Sequence, residues 1–284
     1  MANSRSTIPV ALTIAGSDSG GGAGIQADLR TFAFHCVHGT SALTCVTAQN
    51  TLGVNRVDAL PPEAVSAQIT AIVEDIGVQA TKTGMLLNAG IIRQVATQVE
   101  RGSLQPLVVD PVMVSRTGAQ LIDDQAISAL RSVLFPLATL ITPNRYEAEI
   151  LTGSKIETLD QMHRAAEKIH HQLQVSAVLV KGGSLETSLR GIDVYFDGQQ
   201  QHTLQTQMIQ TPHTHGTGCT LSAAIAANLA KGIELFTAIQ QAKAYVTQAL
   251  RFSLAIGQGQ GPLGHFFPLL CPNSSAFDPL NQNS

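Results

Sequence analysis

The feature that most restricts the fold of this chain is an alternation of short apolar runs with longer amphipathic stretches. Runs of strand length at Pro9 to Ala15, Ser41 to Thr47, Ala80 to Thr83, Pro106 to Val109, Leu137 to Ile141 and Ser176 to Lys181 are interleaved with helical patterns at Gly22 to Phe34, Pro62 to Asp75 and Asn88 to Glu100. A short apolar run needs burial on both faces, and an amphipathic helix needs a surface to lie on. Together they predict an α/β fold, a central and mostly parallel sheet with helices on both faces. Beyond Ser176 the pattern predicts a hairpin around Ile192 to Phe196, a connection through His213, and helices at about Thr220 to Lys231 and Leu235 to Ile256. Nothing in the composition marks a linker or a repeat. Residues 1–284 therefore read as one domain, with a core of about 8–267 and an irregular tail over 268–284 that contains Pro272 and Pro279.

Composition narrows the partners. An apolar share of 44% suffices for a sizeable core. A net charge of -3, from 17 basic and 20 acidic residues, leaves no basic stripe for nucleic acid and no cationic face for anionic lipid. No stretch reaches the roughly 18 apolar residues of a spanning helix, and Met1 to Ser6 precede the first strand without a signal-type apolar run. Neither nucleic acid nor membrane is an expected partner, and the cytoplasm is the expected compartment. Cys36, Cys45, Cys219 and Cys271 are scattered without a CxxC pair, which suggests neither a zinc site nor a disulfide framework.

Open sheets of this kind bind ligands beyond the carboxyl ends of their strands, so the residues just after each apolar run are the chemical candidates. The most informative is Thr214-His215-Gly216-Thr217-Gly218-Cys219-Thr220-Leu221-Ser222, a glycine-rich turn running into an apolar helical pattern. Gly216 and Gly218 allow a sharp turn and a close backbone approach, and the first amides of the helix lack intrahelical partners, which suits bound phosphate. Cys219 falls at that helix start, where a thiol pKa is expected to be lowered. The same pattern also fits a mere tight connection with a filler cysteine. Gly16-Ser17-Asp18-Ser19-Gly20-Gly21-Gly22-Ala23-Gly24 follows a strand and precedes a helix, but its glycine spacing fits neither a dinucleotide fingerprint nor a P-loop. Asp18 there could bond a polar substrate or cap its own loop.

Asn144 and Glu147, one helical turn apart after a strand end, suit hydrated magnesium or a helix-start capping arrangement. Asp110, also at a strand end, could add to a metal shell. Lys181 beside Gly182 and Gly183 could meet ATP phosphates, and Arg116 in Ser115-Arg116-Thr117-Gly118 could fold over a transferring phosphoryl group. Each could equally be a solvated surface cation. His213 and His215 lack a third metal ligand in sequence and read as structural or phosphate-adjacent.

Taken together, the dispersed blocks resemble the hydroxymethylpyrimidine and phosphomethylpyrimidine kinases of thiamine biosynthesis, within the ribokinase-like superfamily. The resemblance covers roughly residues 8 to 267. It rests on the glycine loop through Ala27-Asp28, Thr47-Ala48-Gln49-Asn50, Gly84-Met85-Leu86, Asp110-Pro111-Val112-Met113, Thr142-Pro143-Asn144 with Glu147, Val180-Lys181-Gly182-Gly183, the His215 to Ser222 block, and Gly261-Pro262 with His265-Phe266. It implies an ATP- and magnesium-dependent enzyme that phosphorylates 4-amino-5-hydroxymethyl-2-methylpyrimidine and then its monophosphate in one site. By the same resemblance Gln49, Met85 and Val112 hold the ring together with Gly16 and Asp18, and Cys219 accepts the hydroxymethyl proton within a turn of Gly216, Thr217 and Gly218. Lys181, Asn144, Arg116 and Thr142 meet ATP, Glu147 and Asp110 meet magnesium, and the protein pairs as a homodimer.

The chain departs from the family pattern at three places. Ser184 stands where a histidine is common, Thr83 where an apolar residue is common, and Arg116 where a lysine is frequent. Two other functions fit the same residues: a pyridoxal or pyridoxine kinase of this superfamily, against which Gln49 and Met85 argue, and a catalytically silent pyrimidine sensor.

Overall fold

The computed structural model describes residues 8–114, 120–183 and 190–270. A nine-stranded sheet runs through them in the order β3-β2-β1-β4-β5-β6-β7-β8-β9. The strands are β1 (Val10–Asp18), β2 (His38–Gln49), β3 (Val54–Ala59), β4 (Ala80–Thr83), β5 (Leu107–Val109), β6 (Leu140–Ile141), β7 (Val178–Lys181), β8 (Ile192–Phe196) and β9 (Gln201–Gln205). β2, β1, β4, β5, β6 and β7 pair in parallel, while β3 on one side and β8 and β9 on the other are antiparallel. The chain moves outward from β1 to β2 and then crosses to β4 on the other side of β1. This reversal opens a crevice at the carboxyl ends of the strands.

Helices α1 (Gly24–Phe34), α7 (Thr217–Ala230) and α8 (Leu235–Arg251) cover one face with Ala11, Ala80, Val108 and Leu140 beneath them. α2 (Pro62–Asp75), α3 (Ala89–Glu100), α4 (Asp124–Ala129), α5 (Arg145–Thr152) and α6 (Leu159–Leu173) cover the other, over Leu12, Ile14, Leu107 and Val109. Neighbouring strand residues thus go to opposite cores, which is why the parallel strands read as unbroken apolar runs. The helix starts follow local chemistry. Pro62 opens α2, the Asn88 side chain accepts from the Ile91 amide at α3, and Thr158 with Gln161 forms a capping box at α6.

α7 differs from the rest because it is buried on nearly every side, from Thr220 through Asn228. Five of those nine residues are alanine or serine, and such small side chains let the helix lie close over β1, β4 and β5. Its first turn is thereby set at the crevice.

The observed elements correct several expected bounds. β1 continues through Gly16 and Ser17 to Asp18 because a register shift between Ala15 and Ser17 absorbs the glycine. α7 begins at Thr217 rather than Thr220, which places Gly218 and Cys219 inside its first turn. α8 stops at Arg251, well before Ile256, and the expected strand from Leu137 shrinks to Leu140–Ile141 behind a short 3-10 turn at Phe135–Leu137. Phe267–Leu270 forms a short final helix, α9, where an irregular tail was expected to begin. β3, unforeseen in the sequence, is exposed at every residue. No described helix is long and apolar enough to cross a membrane.

Candidate active site

α7 opens without a side-chain cap, so its first amides face the crevice. Its N-cap, Gly216, has φ 84°, and a Cβ there would overlap the Gly22 carbonyl oxygen. Glycine at 216 therefore serves both the backbone geometry and the close approach of two loops. The late motif secures the turn from behind. His215 donates its amide to Gly261, the Gly261 amide meets His213 Nδ1, and His265 Nε2 lies 2.9 Å from the Thr220 hydroxyl.

Beyond β1 the glycine loop wraps around Asp18. One carboxylate oxygen accepts the Gly20 amide at 2.8 Å, and the other accepts Gly22 at 3.0 Å, Ala23 at 2.9 Å and His215 Nε2 at 2.9 Å. Burial raises the Asp18 pKa, but the His215 hydrogen bond and the backbone amides outweigh it and hold the carboxyl below its usual range. Of the two roles open in the sequence, the carboxylate is thus seen capping its own loop. Gln49, at the end of β2, is pinned by Ser19, whose hydroxyl both donates to the Gln49 carbonyl and accepts the Gln49 amide.

The Gln49 side-chain nitrogen lies 3.3 Å from His215 Nε2, and its oxygen lies 3.3 Å from the Thr47 hydroxyl. An ionised Asp18 only accepts, so His215 Nε2 carries the proton and cannot also receive one from Gln49. The Thr47 proton is already directed at the Ser17 carbonyl. The one Nε2 proton of His215 is held by Asp18 and that of Thr47 by Ser17, so neither neighbour has a proton to spare for the Gln49 amide, which keeps donor and acceptor capacity for a ligand. Gly16 stands at the floor of this region. A Cβ there would lie 2.7 Å from Cys45 Sγ and 3.1 Å from Met85 Cε, so no side chain fits between them.

At the ends of β5, β6 and β7 the character changes to charge. Lys181 Nζ lies 2.9 Å from Asp110 Oδ1, which also accepts the Thr142 hydroxyl at 3.3 Å. Both charged groups face Gly218, where a Cβ would sit 3.4 Å from Nζ and 3.5 Å from Asp110 Oδ2. Asn144 and Glu147 form a complete capping box at α5, and Glu147 also accepts the Met113 amide at 3.3 Å. Burial, reinforced by the charge of Asp110, pushes the Glu147 carboxyl up to about 8 despite the opposing Lys181 charge. Burial raises the Asp110 pKa too, but Lys181 and Lys82 overcome it and hold that carboxyl low.

Cys219 sits where two helix starts converge, for the Gly24 amide of α1 donates to its sulfur. The sequence expectation of a lowered thiol pKa is corrected here. Burial, with the negative charges of Asp28 and Asp110, pushes the thiol up to about 11, and the Lys82 charge and the Gly24 amide only partly oppose it.

Thus the fold gathers Gly16, Asp18, Gln49, Met85, Asp110, Val112, Thr142, Asn144, Glu147, Lys181 and the Gly216 to Cys219 turn along one edge of the sheet. Val112 comes just after β5 and Met85 just after β4, on adjacent strands paired at Thr83 and Val109. Arg116 and Ser184 lie outside the described residues. Thr83 is fully buried, and its hydroxyl has no hydrogen-bond partner among the described residues. Sequence reasoning missed the His215 bridge and the Lys82–Asp28 pair. The visible signal for the pair was a lysine inside a four-residue strand.

An uncapped helix start faced by a lysine and a carboxylate, at the carboxyl ends of a mostly parallel sheet, defines a ribokinase-like kinase site. The model of the phosphomethylpyrimidine kinase family matches residues 18–264, and the chain belongs to that family. It is 62% identical over 266 residues to the hydroxymethylpyrimidine/phosphomethylpyrimidine kinase of Synechococcus elongatus, covering 92% of this chain and 99% of the relative. Its identity to the Bacillus subtilis enzyme of the same name is 46%, over 90% and 94% of the two chains. Among solved structures, an ADP complex of Bacillus subtilis pyridoxal kinase superposes with a TM-score of 0.85 at 43% identity, over 91% of this chain and 98% of that one. The phosphomethylpyrimidine kinase of Clostridium difficile gives 0.76 at 41%, over 85% and 99%.

Proposed function

We propose that this kinase transfers the γ-phosphoryl group of ATP first to the hydroxymethyl oxygen of 4-amino-5-hydroxymethyl-2-methylpyrimidine and then to the phosphate of the resulting monophosphate. The observation that carries this reading is the meeting of the uncapped α7 start, Lys181 and Asp110 at Gly218, across the crevice from the free amide edge of Gln49. Gln49 offers one donor and one acceptor to the ring nitrogen and amino group, and Met85 with Val112 borders the ring. In the first transfer Cys219 takes the hydroxymethyl proton. The freed oxygen pair forms a bond to the γ-phosphorus as the bond from that phosphorus to the bridging oxygen breaks, and ADP leaves with its electrons.

A thiol near 11 makes a strong base whose thiolate is scarce at neutral pH. The first transfer should therefore quicken as pH rises toward that value. A phosphate nucleophile is already anionic, so the second transfer leans instead on the α7 amides, Lys181 and Arg116.

The chemistry of the donors fits magnesium. Asp110 and Glu147 are two buried carboxyl groups, a hard oxygen set that suits an ion shared with substrate phosphates and water, and Glu147, held up to about 8 by burial, would give up its proton to bind one. Magnesium there would neutralise phosphate charge, while Asn144 and Thr142 border the nucleotide. We also read the protein as a cytoplasmic homodimer. In support, the β2–β3 edge carries Val46, Leu52, Val54 and Val57, each exposed by more than two fifths. Equilibrium sedimentation of Val54→Asp/Val57→Asp tests the dimer, which should dissociate.

Pyridoxal is the second reading, favoured by the likeness to pyridoxal kinases. ADP release with magnesium-ATP, offering hydroxymethylpyrimidine, its monophosphate and pyridoxal separately, decides among them. Turnover of both pyrimidines supports the proposal, turnover of pyridoxal alone overturns the substrate, and binding without ADP release would indicate a sensor.

A further inference from the structure

Lys82 and Asp28 are fully buried, with Nζ 2.8 Å from Oδ2. The Thr13 hydroxyl donates to the same Oδ2 at 2.6 Å, while Oδ1 has no hydrogen-bond partner among the described residues. Thr13 and Lys82 are register partners on β1 and β4, so both side chains rise from the sheet face that α1 and α7 cover. The ammonium reaches the carboxyl end of the sheet. A Cβ on Gly84 would lie 2.9 Å from Nζ and 3.0 Å from Ala15 Cβ, so glycine at 84 keeps that place open.

α1 joins this pair to the reacting region. Its first residue, Gly24, donates to Cys219 Sγ, and Asp28 lies four residues on, one turn below on the same face. The charges that act on Cys219 come from Lys82 on β4, Asp28 on α1, Asp110 after β5 and Lys181 on β7. Lys82 is the largest influence favouring the thiolate, ahead of the Gly24 amide. Burial lowers the Lys82 pKa, yet Asp28, Cys219 and Asp110 more than offset it and hold the ammonium above the ordinary lysine range.

We propose that Lys82, paired with Asp28 beneath the first turns of α1 and α7, is a positioning residue that acts on Cys219 from under the reacting region. Its consequence for turnover rests on the reading of Cys219 as proton acceptor. Its effect on the thiol does not.

Alkylation of Cys219 by iodoacetamide, followed from pH 7 to 10 by mass spectrometry of the Cys219 peptide, tests this without substrate. Lys82→Met should slow alkylation at pH 8 by about tenfold, the equivalent of one unit of thiol pKa. Asp28→Asn keeps the shape of the carboxyl and the lysine while removing a negative charge, so it should speed the reaction. A role in packing alone moves both variants in the same direction, and that result, or unchanged rates, overturns the proposal. If Lys82→Met fails to fold, Lys82→Met/Asp28→Leu removes the pair together without stranding a charge, and it should still alkylate more slowly than the wild type. Unimpaired first transfer in Cys219→Ala would overturn the proton-acceptor reading while leaving the alkylation result standing.

Discussion

The two sides of the crevice solve opposite problems with the same functional group. On the β1–β2 side, Asp18 accepts three backbone amides and His215, and its carboxyl is held low. On the β5–β7 side, Glu147 is as thoroughly buried, yet it faces another carboxylate and is held up to about 8. Full hydrogen bonding makes the first side a finished scaffold. The second carries charge that gains from a cationic or phosphorylated ligand, so binding energy can be spent there on the transferring group.

Cys219 lies at the seam, and its replacement gives the largest expected effect. Cys219→Ala should slow the first transfer by about 10²- to 10⁴-fold, with the second reduced far less, as quench-flow with each acceptor would show. Equal losses would mean that the α7 turn itself had collapsed and would erase the distinction between the two steps.

Asp18→Asn breaks the finished side. It puts a donor against backbone amides, and unfolding in urea at pH 7 should show a loss of about 2 to 3 kcal/mol. The wild-type contribution is present above the unfolded carboxyl pKa and is lost as pH falls through the lowered folded value.

Glu147→Gln tests the other side with the opposite sign. A folded carboxyl near 8 stays protonated where the unfolded one, near 4.5, has ionised, so stability falls as pH rises between those values. In magnesium-free buffer the variant should avoid about 2 kcal/mol of the loss that the wild type suffers between pH 6.5 and 8, while its turnover with magnesium-ATP drops. A variant with the wild-type pH slope would remove the contrast between the two carboxylates.

The smallest effect belongs to Gln49→Ala, which should raise KM for hydroxymethylpyrimidine by about tenfold with kcat little changed. Steady-state kinetics with an unaltered KM would show that Gln49 makes no contact with the ring.

Much of the fold and of the site is legible because buried parallel strands announce themselves as apolar runs, and the residues just past such a run lie at the ligand edge. The bounds expected for the strand at Ala80–Thr83 and the helix at Pro62–Asp75 match the structure to the residue. β3 was invisible because Val-Asn-Arg-Val-Asp-Ala is exposed throughout and has no buried face to set a pattern. The acidity of Cys219 was misjudged because the helix start is a local property, whereas the burial that chiefly raises the thiol, and with it the charges of Asp28 and Asp110, arise only through the fold. The loop cap of Asp18 is local and was open to reading, but its bond to His215 spans 197 positions, and no local spacing encodes such a bond.

The meeting of Gly216 with the Gly22 carbonyl has a consequence for how this enzyme comes into being. The two loops lie at opposite ends of the sequence, and Gly261 braces the later one. A nascent chain emerging from the ribosome can complete its first strands early, but it cannot close the turn before α7 until nearly all of the fold has been synthesised. Competence to use ATP then arrives as a single late event, and an incomplete chain stays catalytically silent.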